Sequence, residues 1–335
     1  MRIFVTGAAG FIGSNFVHYW IDQTPGDKVV AFDLLTYAGN RDNLADVGDK
    51  CRFIQGDIGD SALVMQVLRE EQIDVIVNFA AESHNSLAIV DPSRFFRTNI
   101  IGTQSLLEAA RKVGVVRFHH ISTCEVYGDL PLDSDEEFTE ESPYRPRTPY
   151  NASKAGADHA VRAYFETYNV PITISNCCNN YGPFQFPEKV IPLFTTLAMD
   201  NKPLSLYAST ANRREWIHVL DHCQAVERII TDGRIGETYN VGTKVEKSIM
   251  EIADTILDAL DKPESLKTIV PDRPGHDRRY LLDSSKIERE LGWTPQIEFE
   301  KGIKDTVNWY LGNRTWWEPL RERAMVAESE WQKKN

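Results

Sequence analysis

The sequence predicts an α/β fold: a Rossmann-type doubly wound parallel sheet, with a smaller mixed α/β C-terminal domain behind it. Three observations predict it. Short apolar runs alternate with helix-period segments through the first half of the chain, the pattern of βαβ units. A glycine-rich turn, Gly7, Gly10 and Gly13, separates the first apolar run from the first helical segment. An acid, Asp33, ends the second run, twenty residues beyond Gly13.

Taken in order, "RIFVTG" reads as a buried strand and "GSNFVHYWIDQ" as a helix. "KVVAFD" is the second strand and "CRFIQGD" the third; "SALVMQVLREEQ" has helical spacing. "DVIVNFAA" is the fourth strand, "IIGTQSLLEAARKVG" a helix and "VVRFHHIST" the fifth strand. "AGADHAVRAYFETY" is a further helix before the strand "PITISN". Beyond about residue 180 the pattern changes. "NNYGPFQFPEKVIP" is rich in turn formers and aromatics, and "SIMEIADTILDAL" and "IKDTVNWYL" are amphipathic helices. We expect residues 1–180 to form the doubly wound domain and 181–335 mainly the second, with "GETYNVG" (236–242) returning to the first sheet as an extra strand. Tandem repeats and low-complexity linkers are not evident.

Apolar residues make up 42% and charged residues 26%, ordinary values for a globular chain. The net charge of −12, from 37 basic and 49 acidic side chains, repels phosphate backbones, so no nucleic-acid partner is expected. The cysteines, Cys51, Cys124, Cys177, Cys178 and Cys223, are odd in number and lack CxxC spacing. A disulfide framework and a metal site are therefore not expected, and reduced cytoplasmic thiols fit. The start "MRIFVTGAAGF" has no basic region leading into a long apolar stretch, so no signal peptide is expected. No segment reaches membrane-spanning length, so no membrane partner is expected either.

The glycines follow a GxxGxxG pattern, with Phe11 and Ile12 inside it. Glycine lets the backbone approach a pyrophosphate, and the following helix N-terminus supplies oriented amides. Asp33 is placed to hydrogen-bond an adenosine ribose. Leu34 follows it, with no adjacent arginine for a 2′-phosphate, which favours NAD over NADP. Asp57 and Ile58 close the third strand, where an adenine is met. "YNASK" sets Tyr150 and Lys154 at i, i+4, on one helix face. An ammonium beside a phenol favours phenolate and lowers the tyrosine pKa toward that of a useful base. Ser122 and Thr123 end the preceding strand.

With these motifs together, the chain resembles the extended short-chain dehydrogenase/reductase family, and within it the dTDP-glucose 4,6-dehydratases. The likeness covers nearly the whole chain. "LTYAGNRDNL", "STCEVYGDL", "NNYGPFQFPEKVIPL", "RPGHDRRYLLDSSKI" and "WYLGNRTWWEPL" carry it beyond the shared superfamily motifs. The resemblance implies a lyase in which tightly held NAD takes hydride from sugar C4. Tyr150 is then the base, Thr123 polarises the C4 oxygen, and Lys154 also holds the nicotinamide ribose. Glu125 removes the C5 proton, an acid helps the C6 hydroxyl leave, and hydride returns to C6. The resemblance adds Ala80, Ala81, Asn99 and Ser122 to the cofactor site. It gives the nucleoside diphosphate hexose Ser83, His84, Asn180, Lys189, Tyr207, Arg214, Arg279 and Tyr280, with Arg273 and His276 in the same arginine-rich block. Lys189 and Arg214 bring positive charge for a diphosphate to an acidic protein. The resemblance also implies a homodimer through helices beginning near Asn99 and Tyr150.

Several positions depart from the family pattern. The family acid is an aspartate between the threonine and the glutamate; here it is Cys124. A thiol ionises at about 8.5 against about 3.9 for aspartate and is a weaker donor. Cys124 is expected either to donate weakly to the leaving oxygen or to shape the pocket while Glu125 returns its own proton. "ESHVDRS" in the family is here "ESHNSLA", with Asn85, Ser86, Leu87 and Ala88 changed. Asn176, Cys178 and the stretch Ala208, Ser209 and Thr210 also differ from the family pattern. These changes leave open a 5,6-dehydratase that returns hydride to C4, an epimerase, or a non-catalytic NAD-binding protein. The four intact residues Thr123, Glu125, Tyr150 and Lys154 argue against the last.

Overall fold

The computed structural model describes residues 1–272 and 275–332; Arg273 lies outside the described residues. The chain runs β1 (Arg2–Thr6), α1 (Phe11–Gln23), β2 (Lys28–Asp33), β3 (Cys51–Gln55), α2 (Ser61–Glu70), β4 (Val75–Asn78), α3 (Asn85–Val90) and α4 (Pro92–Phe95). It continues through α5 (Thr103–Val113), β5 (Arg117–Thr123), α6 (Pro149–Tyr168), β6 (Ile172–Cys177), β7 (Asn179–Tyr181), α7 (Val190–Met199), β8 (Leu204–Tyr207) and β9 (Arg213–His218). Then come α8 (Val219–Asp232), β10 (Thr238–Val241), β11 (Glu246–Ser248), α9 (Ile249–Ala259), β12 (Lys267–Val270), α10 (Ser285–Leu291), α11 (Phe299–Gly312) and α12 (Arg314–Gln332).

Seven strands form one parallel sheet in the order β10-β6-β5-β4-β1-β2-β3. Strand order reverses between β1 and β4, and in open α/β sheets ligands bind at such a switch point. Alternation along each strand feeds two cores. Phe4, Ile76, Phe118 and Ile174 face α2, α5 and α6 on one side. Ile3, Val5, Val77 and Ile121 face α1 and α8 on the other. The later chain therefore returns twice to the first sheet: α8 packs through Val219, Cys223 and Val226, and β10 pairs with β6 at the edge. The remaining elements make a three-stranded sheet, β11-β9-β7, and a two-stranded parallel one, β12-β8. α7, α9 and α11 pack there around Leu204, Leu206 and Trp216.

Three features differ from the sequence reading. The segment read as one helix from Ile100 begins as a π-helix over Phe96–Gly102. The wider turn brings Asn99 inward to bond the Glu82 backbone in both directions and Ser153. Gly102 lies against Ile58, whose Cδ1 would stand 2.8 Å from any added Cβ. α7 (Val190–Met199) starts in the last three residues of the stretch that read as turn-rich and runs on beyond it. α12 carries the tryptophan-rich tail: Trp317 is fully buried, and Trp316 Nε1 donates to Asn43 Oδ1 at 2.8 Å.

Candidate active site

A cleft of about 710 Å³ opens at the C-terminal ends of β1, β2, β4, β5 and β6, a size suited to a small-molecule ligand. At one end lies the glycine turn. Gly7 has φ +64°, and a Cβ on it would come within 2.7 Å of Ala80 N, so only glycine lets β1 and β4 close up here. A Cβ on Gly13 would stand 2.2 Å from the Gly7 carbonyl. Gly10 caps α1 without any side-chain cap, and the first turn carries no acid. The opening amides of the helix are thus left for an external anion. Asp33 accepts from Ala9 N at 2.9 Å and Leu35 N at 2.7 Å. Burial raises its pKa while these two amides oppose the rise. They also hold Leu35 in a left-handed conformation, φ 58°, one that costs a leucine about 1–2 kcal/mol. Phe11, Ile12, Asp57, Ile58, Ala80 and Ala81 complete this end. A cradle of main chain, open amides and one carboxylate fits a dinucleotide such as NAD.

Midway along the cleft, β5 and α6 deliver the reactive side chains. Thr148 caps α6 by accepting from Asn151 N at 3.2 Å, worth about 1 kcal/mol, and Pro149 starts the helix. Tyr150 in the first turn and Lys154 one turn later both face the cleft. β5 ends at Thr123, whose hydroxyl accepts from Glu125 N at 3.3 Å and opens a 3-10 turn. Thr123 and Glu125 also face the cleft. The Thr123 hydroxyl lowers the pKa of the Tyr150 phenol.

The electrostatics differ from expectation. Burial, then Glu125, Cys177 and Cys124, push the Tyr150 phenol well above its usual range, with the Thr123 hydrogen bond opposing. Lys154 does not reverse this, because its ammonium donates to the Ile121 carbonyl at 2.6 Å. Burial lowers the Lys154 pKa, and Asp158 opposes that fall.

At the far end, Lys189 Nζ donates to the Ser83 carbonyl at 2.8 Å and pairs with Glu188 at 3.3 Å. His84 faces Glu188 at 3.4 Å. The Asn180 amide donates to the Cys178 carbonyl at 3.0 Å, and its oxygen meets His222 at 2.8 Å. Arg214 is buried, donates to the carbonyls of Arg213, Arg278 and Asp277, and stacks on the Tyr280 ring at 4.8 Å. Tyr207 meets the His276 ring edge-on at 5.3 Å. All of these but Arg213, His222, Asp277, Arg278 and Tyr280 line the cleft.

Four expected site residues are not on the cleft wall. Asn99 is spent on the loop after β4 and positions Ala80 and Ala81 indirectly. Arg279 makes a two-pronged pair with Glu246, at 2.7 and 2.9 Å, and ties down the carbonyls of Ser134 and Glu136. Tyr280 stands behind Arg214 and donates to Asp277. Cys124 is 1% exposed and sits in an apolar cluster with Tyr127, Ala155 and Cys178. Burial, then Glu125, keeps its thiol neutral. Ser122 does line the cleft, but its hydroxyl is given to Asp158 at 2.7 Å.

The sequence reading missed Glu188, Asn85 and the Asp158 group. Asn85 lines the cleft, donates to Glu125 Oε2 at 3.4 Å and accepts from Thr148 at 3.4 Å. Its signal was present as a departure from the family pattern at a site of known chemistry. Asp158 lies at i, i+4 from Lys154, the same spacing that marked Tyr150. Among the described residues no group of three or more His, Cys, Asp or Glu could hold a metal ion. Among them, too, no helix is long and apolar enough to cross a membrane.

The family model for GDP-mannose 4,6 dehydratase matches residues 4–306. The dTDP-glucose 4,6-dehydratase of Mycobacterium tuberculosis (strain ATCC 25618 / H37Rv) is 49% identical over 331 residues, 98% of this chain and 99% of that protein. The dTDP-glucose 4,6-dehydratase 1 of Escherichia coli (strain K12) is 47% identical, covering 97% of this chain and 96% of that one. The crystal structure of DesIV, a dTDP-glucose 4,6-dehydratase from Streptomyces venezuelae with NAD bound, superposes with a TM-score of 0.92 at 49% identity. It covers 96% of this chain and 100% of that chain. The chain belongs to the GDP-mannose 4,6 dehydratase family, within the extended short-chain dehydrogenase/reductase fold.

Proposed function

We propose, with that membership as premise, that this protein is an NAD-dependent dTDP-glucose 4,6-dehydratase, a lyase forming dTDP-4-keto-6-deoxyglucose. The observation that carries the reading is the convergence of Thr123, Glu125, Tyr150 and Lys154 in one cleft with the glycine turn and Asp33. When bound, NAD accepts a hydride from sugar C4 and later gives it to C6. The glycine turn, the α1 amides and Asp33 would hold its pyrophosphate and adenosine ribose; Lys154 would hold the nicotinamide ribose.

As the phenolate, which the positive charge of bound NAD+ would favour against burial, Tyr150 takes the proton of the C4 hydroxyl as C4 is oxidised. Against its burial it has the Thr123 hydroxyl as a donor, and Thr123 also orients the C4 oxygen. The 4-keto group then acidifies C5–H, and Glu125 removes that proton. With Cys124 outside the cleft, Glu125 is the group placed to pass this proton to the departing C6 hydroxyl. Two protons leave, from O4 and C5; two are consumed, by the departing hydroxyl and by C5 at the end. The net change is loss of one water with no net redox. Lys189 and Arg214 supply charge for the diphosphate, with Asn180, Tyr207, Ser83 and His84 along the same wall.

The proposal extends to organisation. Residues 1–180, with the strand near 236–242, bind NAD, and 181–335 mainly bind the nucleotide sugar. The apolar side chains of Phe96 and Ile101 are exposed beside α5, which supports a homodimer through these helices. Free thiols at all five cysteines fit a cytoplasmic protein.

Incubation with a panel of dTDP- and UDP-hexoses, followed by mass and NMR analysis, tests the reading. dTDP-glucose should lose one water, and substrate deuterated at C4 should carry the label to C6. Label returned to C4 would instead identify a 5,6-dehydratase. An isomer of unchanged mass would identify an epimerase. NAD should be released on denaturing the purified protein; a need for stoichiometric external NAD+ would sink the internal-redox cycle.

A further inference from the structure

Under the floor of the cleft runs a chain of buried polar groups that the proposed reaction does not use. Thr6 donates to Asn78 Oδ1 at 2.6 Å, and Asn78 Nδ2 meets His120 Nδ1 at 3.1 Å and Thr103 at 3.3 Å. His120 Nε2 faces Asp158 Oδ1 at 3.4 Å, and Ser122 donates to Asp158 Oδ2 at 2.7 Å. Asp158 is fully buried and His120 is 1% exposed. The chain thus crosses the sheet from β1 through β4 and β5 to the helix that carries Tyr150 and Lys154.

The direction of the hydrogen bonds fixes the charges. Asn78 Oδ1 is committed to the Thr6 hydroxyl, so its amide nitrogen donates to His120 Nδ1. The proton of neutral His120 is then on Nε2, the nitrogen that stands 3.4 Å from Asp158. Burial brings the His120 pKa down to about 4, so the ring adds no charge at neutral pH. Asp158 stays below its usual pKa despite burial, through His120, Lys154 and Ser122. A buried carboxylate persists only with such partners. Lys154, 4% exposed, donates to the Ile121 carbonyl of β5; Asp158 follows one turn later on its own helix, and the charges of Asp158, His120 of β5 and Cys177 of β6 act on it through space. Burial raises the thiol of Cys177 to about 12 and also raises the phenol of Tyr150. Asp158 is the ionised acid in that set.

We propose that Asp158 is the counter-ion that keeps Lys154 protonated inside the cleft, aimed by Ser122 and His120. It acts through Lys154 and is a positioning residue. Ser122, expected at the cofactor and lining the cleft, also has this role. The inference rests on the reading that Lys154 serves NAD and Tyr150.

Asp158→Asn removes the charge and keeps an acceptor for Ser122. The tests are thermal melting, NAD retained after gel filtration at a series of pH values, and the pH dependence of bound NADH formation on rapid mixing with dTDP-glucose. In folded Asp158→Asn the alkaline limit of NADH formation, and of NAD retention, should move down by about one pH unit or more. Rates at the acid end should stay within a few-fold of wild type. Ser122→Ala and His120→Gln should move the limit in the same direction by less, and Asp158→Glu should restore part of it. An unchanged alkaline limit in Asp158→Asn overturns the proposal; should that variant not fold, unchanged limits in both Ser122→Ala and His120→Gln overturn it. Lys154→Met separates the two readings. If it forms NADH as wild type does, the role of Lys154 fails; if it is inactive while the Asp158, Ser122 and His120 variants keep the wild-type limit, only the counter-ion fails.

Discussion

At the glycine-turn end, the cleft wall is main chain. Gly7, Gly10 and Gly13 remove side chains, the α1 amides face outward, and Asp33 is fixed by two backbone N–H groups. At the far end the wall is side chain, drawn from elements far apart in sequence. Ser83 and Lys189 are joined across 106 positions, and Arg214 meets the Asp277 carbonyl across 63. The difference teaches why one end is readable in a local stretch of sequence and the other is not. A backbone cradle needs specific glycines at specific spacings and carries a local signature. A side-chain wall can exchange partners, and the same arginine type lines the cleft at Arg214 and clamps a loop at Arg279.

The largest expected effect lies at the junction of the two ends. Tyr150→Phe keeps the ring against Phe95 and deletes the group proposed to take the C4 proton. General-base contributions are about 10²–10⁴-fold in rate. NADH formation on rapid mixing should fall by that order, with unchanged melting and retained NAD. Wild-type NADH formation would remove Tyr150 from the mechanism.

Arg279→Met sharpens the contrast from the other side. It breaks the pair with Glu246 and frees the carbonyls of Ser134 and Glu136, and loss of one partner of a buried pair costs about 3 kcal/mol. Stability by urea titration should drop by that order, while KM for the sugar, measured on the folded fraction, stays within a few-fold. A large rise in KM with intact stability would place Arg279 back on the substrate.

The same contrast governs what could be read from sequence. The parallel sheet, the glycine turn, Asp33 and the Tyr150–Lys154 pair were legible because each is local: a strand-to-helix turn, a strand end, one helix face. Arg279 was not, because its partner Glu246 belongs to a strand 33 positions away. The π-helical start of the α5 segment was not legible either. Its apolar spacing reads as helix, and only contact with the Glu82 backbone draws Asn99 inward. Family likeness named Ser122 and Cys124, but not that Asp158 takes the one hydroxyl and an apolar cluster encloses the other residue's thiol.

A pH profile tests the interior of the C-terminal half. Glu215 is fully buried and accepts from Thr243, Lys244 and Leu282 N–H groups. Burial nevertheless raises its pKa from 4.5 to about 7. A carboxyl whose pKa is raised on folding holds its proton in the native state when the unfolded chain has lost it. Its contribution is therefore full below about pH 4.5 and falls as pH rises toward 7. The fall is roughly 3 kcal/mol at one pH unit per about 1.4 kcal/mol. Glu215→Gln should flatten that segment of the urea stability profile; an unchanged slope would show that Glu215 titrates normally. At the cofactor end, Asp33→Asn keeps the shape and weakens the acceptor for a ribose hydroxyl. NAD retained through gel filtration should fall about tenfold, in line with one charge-assisted hydrogen bond. Full retention would mean that the main-chain cradle suffices.

The smallest effect is expected at Cys124, where the family has its acid. A side chain that faced the leaving C6 hydroxyl would have to reach the cleft. Cys124 instead points into the cluster of Tyr127, Ala155 and Cys178, with Glu125 beside it raising its pKa further. Cys124→Ser keeps the size and substitutes a better donor, at a burial cost of about 1–3 kcal/mol for an unpaired hydroxyl. Melting should drop accordingly. NADH formation, turnover and the position of deuterium from C4 should all stay within about twofold of wild type, because Glu125 carries the C5 proton to the leaving group by itself. Cys124→Ala gives the control: it removes any donor and should match Cys124→Ser in product and rate. A faster elimination in Cys124→Ser than in Cys124→Ala would show that position 124 reaches the leaving oxygen during turnover, and the proton route through Glu125 alone would then be wrong.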